Sequence, residues 1–95
     1  KDKMKQFKTV SIYEFAEKHN LKTKLSDLGL PDKDEINEVI SLMKSYNKSE
    51  AEICVWFQTT NSWLGGEKPI NYIKYTEGDY LVYAAKQYVL PIMHG

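Results

Sequence analysis

Between Ser11 and Leu90 the apolar residues return every third or fourth position, and residues that start or stop helices cut them into short runs. Two Ser-x-x-Glu patterns, Ser11–Glu14 and Ser49–Glu52, have the spacing at which a hydroxyl and a carboxylate cap a helix start reciprocally. Pro69 suits a first helical turn, Pro91 stops a helix, and Gly65-Gly66 supplies backbone angles that other residues resist. Nowhere do apolar and polar residues alternate for more than a few positions, so no strand is expected. The pattern predicts an all-α, small single-domain bundle of about five short helices, without repeats or a linker.

Residues 1–9 are lysine-rich and read as a flexible basic arm. The first helix is expected from about Ile12 to His19. Val10 and Phe15 are spaced as a hydrophobic staple, Ile12, Phe15 and Ala16 turn inward, and Asn20 is a left-handed stop. Leu21 to Leu30 reads as one helical turn or an ordered loop. A second helix starts at Pro31 or Asp32 and runs to about Tyr46, with Asp32, Asp34 and Glu35 complementing its dipole. Ser49 opens a third, to about Gln58, and Pro69 a short fourth. The Glu77-Gly78 turn ends that one, and Asp79 caps a last helix from Tyr80 to about Leu90. The expected core is Phe15, Ile36, Val39, Ile40, Met43 and Ile53, joined by Trp56, Phe57, Leu64, Ile73, Leu81 and Ala85. Residues 10–48 form an N-terminal helical region and residues 49–95 a second region of the same domain.

Several classes of function find no support. At 95 residues the chain is one domain, and no apolar run approaches the ~20 residues that span a bilayer. No basic-then-apolar leader opens it, which predicts a cytoplasmic protein without membrane contact. Cys54 has no partner for an internal disulfide, and two histidines do not make a structural zinc site. Neither a metal nor another cofactor is expected. His19 and His94 are surface histidines, Gly65-Gly66 lacks the lysine of a phosphate-binding loop, and the acids around Asp34 follow helix-start spacing. A non-enzymatic chain is the expectation.

The net charge of +0 hides a gradient. Residues 1–24 hold seven lysines against three acids, and residues 25–52 seven acids against three lysines. All 13 basic residues are lysine, which counts against sequence-specific DNA reading, where arginine usually pairs with guanine. Ala16, Asn20 and Leu21 resemble the turn of a helix-turn-helix, and Lys22 and Lys24 are the candidate phosphate contacts. Any DNA binding there is expected to be weak and mostly electrostatic.

The most specific stretch lies in the second half. Ala51, Trp56-Phe57 and Thr60-Asn61-Ser62-Trp63-Leu64-Gly65-Gly66 come first. Lys68-Pro69-Ile70, Ile73, Glu77-Gly78-Asp79, Val82, Ala84-Ala85 and His94-Gly95 follow. This succession resembles the toxin-binding domain of Xre/MbcA/ParS-type antitoxins, over roughly residues 49–95. The resemblance implies a module that covers a cognate toxin with its last helices and tail, often a RES-type enzyme that consumes NAD. It also implies a homodimer. The implied partner-binding residues are Trp63, Lys68, Asn71, Tyr72, Tyr80, Tyr83, His94 and Gly95. Seven tyrosines in so short a chain suit that role, since tyrosine gives a large contact area at low entropic cost. The alternative is a small DNA-binding transcriptional regulator, or a mobile-element regulatory protein, that shares the domain.

Overall fold

The computed structural model describes residues 11–73 and 80–90. Among them six α-helices follow in order: α1 (Ile12–Lys18), α2 (Leu25–Leu28), α3 (Asp34–Ser45), α4 (Glu50–Gln58), α5 (Pro69–Tyr72) and α6 (Tyr80–Val89). One turn of 3-10 helix (Ser62–Leu64) separates α4 from α5. The described residues contain no strand, only an isolated bridge between Asn61 and Glu67. The chain is a small all-α protein, and none of its described helices is long and apolar enough to cross a membrane.

Helix α4 is the centre. Its capping box is complete: the Ser49 hydroxyl accepts from the Glu52 amide, and the Glu52 carboxylate accepts from the Ser49 amide. Behind this cap Ala51 and the whole run Ile53–Phe57 are buried, so the helix has no apolar stripe but an apolar circumference. A helix buried all round needs neighbours on every side. α4 has them in α1, α2, α3 and α5, while α3 and α6 pack along each other. Ile36, Val39 and Met43 of α3 meet Leu81, Val82, Ala84, Ala85 and Val89 of α6 in one core with Ile53, Trp56, Phe57, Leu64 and Ile73.

Both polar ends of α4 reach across to the 21–25 segment. Gln58 accepts from the Lys22 amide at 2.8 Å and donates to the carbonyls of Lys22 at 2.5 Å and Cys54 at 2.8 Å. Glu50 accepts from the Leu25 amide at 2.9 Å and so caps α2, whose own N-cap Lys24 makes no side-chain bond.

Three helices end where a residue turns left-handed. Asn20 (φ 59°) follows α1, with the Leu21 amide on the Ala16 carbonyl and the Asn20 amide on that of Glu17. Asn47 (φ 65°) ends α3 in the same way, through Lys48 to Met43 and Asn47 to Lys44. Gly29 (φ 67°) ends α2. The Asn20 stop was expected; the one at Asn47 was not.

Of the two readings of Leu21–Leu30 the structure shows the helical turn, capped by Glu50 from another element. It corrects three other expectations. α3 starts at Asp34, later than Pro31 or Asp32: Lys33 is extended, its amide turns back to the Pro31 carbonyl, and Asp32 accepts from the Asn37 side chain from outside the helix. Phe15 is only half-buried, since α1 packs on α4 alone among its stronger contacts, and its ring lies 4.4 Å from that of His19. Ile40 is half-buried at the edge of the Ile36–Val39–Met43 stripe. The basic arm, Val10, the Glu77-Gly78 turn, Asp79 and Pro91 lie outside the described residues.

Phe57 is completely buried at the middle of this arrangement. Phe57→Ala is expected to cost about 3–5 kcal/mol in urea unfolding, because the site cannot collapse around the lost ring. Gln58→Ala removes the bonds to Lys22 without opening a core cavity and should cost about 1–2 kcal/mol. Amide exchange should also accelerate over Leu21–Leu25 more than over α3.

Candidate functional site: an aromatic face beside a cleft

The turn after α4 decides which side chains face outward. Asn61 organises it through four bonds: its amide donates to the Glu67 carbonyl, its carbonyl accepts from Leu64 and Gly66, and its side-chain oxygen accepts from Trp63. Gly65 (φ 69°) and Gly66 (φ 86°) carry the chain round, with open space where a Cβ would stand. The glycines are therefore required by backbone angle, not by crowding. The tight 3-10 turn sends Leu64 into the core and leaves Trp63 53% exposed. Trp63 lies edge-on against Tyr83, with ring centroids 5.5 Å apart.

Tyr83 is itself 48% exposed, and Tyr80, one turn earlier on α6, is 60% exposed. Both stay outside because Leu81, Val82, Ala84 and Ala85 take the buried side of the helix. Tyr72, at the end of α5, sets its ring edge-on to Tyr80 at 6.2 Å. Four of the residues implied as partner-binding thus form two aromatic pairs, joined through adjacent turns of α6.

Lys68 and Asn71 are exposed and line a separate polar hollow of about 330 Å³ together with Lys22, His19 and Gln58. Lys22 and Lys68, predicted for different partners, therefore share one depression. The Lys22 ammonium donates to the Asp27 carbonyl at 3.2 Å. Lys24 is exposed at the N-cap of α2 and does not line this hollow. His94 and Gly95 lie outside the described residues.

What the residue pattern did not reveal is a cleft of about 510 Å³ between α1, α4 and α6. Ile12 and Phe15 form one wall and Tyr88 and Gln87 another, with Val55 and Trp56 between them and Trp63 at the 3-10 turn. Glu52 adds the one charged side chain among the described lining residues. Trp56 is only 6% exposed, and its indole N–H has no acceptor among the described residues. Burial, and after it the Glu52 carboxylate, raises the Tyr88 hydroxyl pKa above its ordinary value. Phe15 and Trp56 read as core positions in sequence; their place on a cleft follows from elements some forty and seventy positions apart.

Cys54 is fully buried, and burial, helped by Glu50 and Asp27, pushes its pKa up to about 11. A thiol held neutral in this way is a poor nucleophile. Among the described residues no three His, Cys, Asp or Glu side chains gather as a metal site. Compared with protein-family models, with curated proteins and with solved structures, the chain finds no match in any of the three.

A folded-state thiol pKa above the unfolded 9.0 favours the native state while the thiol is protonated, and that advantage fades as pH rises from 9 through about 11. Cys54→Ala should therefore lose less stability over that window than the parent, compared by urea midpoints. At pH 8 a disulfide reagent should label Cys54 only as fast as the protein opens.

Proposed function

We infer that this chain is a non-enzymatic protein-binding module of the antitoxin type, which binds a cognate toxin and occludes its active site. The observation that carries the reading is the pairing of Trp63 with Tyr83 and of Tyr72 with Tyr80 on one exposed side of α5, α6 and the 3-10 turn. Half-exposed aromatic rings held rigid against each other give a partner a large, preorganised surface. The order of residues over 49–95 supports the same reading through its resemblance to Xre/MbcA/ParS-type antitoxins. On that resemblance the toxin is a RES-type enzyme consuming NAD, the protein is a homodimer, and the His94-Gly95 tail joins the contact; the composition adds a cytoplasmic location.

DNA binding is the weaker reading. A recognition helix has to lie along a groove, and α2 offers a single turn of four residues. Contact would be confined to phosphates near Lys22 and Lys24.

The test is co-expression with the product of the adjacent coding sequence. That product should be toxic alone and harmless beside this chain. Trp63→Ala and Tyr83→Ala should each weaken the complex by about tenfold or more while the circular dichroism spectrum and melting temperature hold. A harmless neighbour, or a complex indifferent to both substitutions, would refute the reading.

A further inference from the structure

The cleft carries a charge signature that the aromatic pairs do not. Four rings border it, those of Phe15, Trp56, Trp63 and Tyr88, and Glu52 stands on its wall. The faces of such rings attract cations, most strongly in tryptophan, and a carboxylate adds a full opposite charge. Glu52 is held in place, because its Oε1 accepts from the Ser49 amide at 2.8 Å as part of the α4 cap. Its influence reaches the far wall, where it helps raise the pKa of the Tyr88 hydroxyl. Tyr88 already holds one cation: the Nζ of Lys48, a residue that does not line the cleft, sits 4.6 Å from its ring centroid.

We propose that the cleft between α1, α4 and α6 receives an arginine side chain of the partner protein, its guanidinium flanked by the aromatic walls and paired with Glu52. This rests on the protein-binding reading above and names the chemistry of the partner. A guanidinium suits the site better than an ammonium: it is planar, stacks on rings, pairs with a carboxylate through two parallel bonds and gives up its hydration more readily. These 95 residues contain no arginine, so neither they nor a second copy of them supplies the side chain. A volume of about 510 Å³ exceeds one side chain and leaves room for the flanking peptide.

The probe is the capped peptide acetyl-Gly-Arg-Gly-amide, compared with the same peptide carrying citrulline, which has the shape of arginine without its charge. Both tryptophans of the chain line the cleft, so indole emission of the full chain reads occupancy directly. The arginine peptide should give a saturable change and bind about tenfold more tightly than the citrulline peptide, with the difference shrinking as salt rises. Glu52→Gln keeps a side chain that can complete the capping box, so the fold should persist; it should reduce the preference to about twofold. Equal binding of the two peptides, no saturable change with either, or an unaltered preference in Glu52→Gln would each overturn the proposal. The partner complex separates this claim from the one beneath it. A complex broken by Trp63→Ala but indifferent to Glu52→Gln leaves the protein-binding reading standing and removes the arginine site. Discrimination between the peptides, with a complex indifferent to Trp63→Ala and Tyr83→Ala, keeps the cation-selective cleft and removes the aromatic docking face.

Discussion

Everything in this fold depends on burying α4 from all sides. A nine-residue helix with six buried positions cannot lie on a surface, and its neighbours are arranged by the need to cover it. Helices α1, α2, α3 and α5 each cover a part, and the α3–α6 pair completes the core. Most of these helices are too short to persist alone, since an isolated helix of fewer than ~12 residues is marginal in water. They are held by the surface they share with α4. The polar ends of that helix add direction: Glu50 and Gln58 bind the backbone of the 21–25 segment and fix where the N-terminal part sits.

The same economy governs the surface. Asn61 gives four bonds to one tight turn, and the turn sorts two consecutive residues, Trp63 to the outside and Leu64 to the core. Without that turn the indole would not meet Tyr83, and neither the aromatic face nor the wall of the cleft would exist in this form. α6 then does two things at once. Its residues Leu81, Ala84 and Ala85 are buried in the core shared with α3, and its tyrosines at 80 and 83 stay outside, where each meets a ring from another element. A protein-binding surface here is the outward side of the packing that makes the core.

Local start and stop signals were legible because they act over three or four residues. The Ser49–Glu52 box, the Ser11 cap, the Asn20 stop and the Gly65-Gly66 reversal all stand where the spacing placed them. So do the stripes Ile36–Val39–Met43 and Leu81–Ala84–Ala85. The first turn of α2 and the start of α3 were not legible. One needs a carboxylate from α4, and the other hangs on how Pro31, Asp32 and Lys33 turn before the helix begins.

The candidate site divides along the same line. That Tyr80 and Tyr83 face away from the core follows from the period of α6, which any helix of this sequence must obey. Their ring partners, Tyr72 and Trp63, lie on other elements and were set by packing. The cleft is further still from sequence: Phe15, Glu52, Trp56 and Tyr88 converge only where α1 packs on α4 and α6 packs on α3 and the 3-10 turn. The sequence by itself determined that this chain is helical, where most of its helices start and stop, and which stripe of each turns inward, because those are local consequences of hydrogen bonding and the 3.6-residue period. Only the tertiary structure decided which aromatics became walls of a cleft, which became exposed pairs, and that Trp63 is both, because that depends on the gaps short helices leave when they close around a common core.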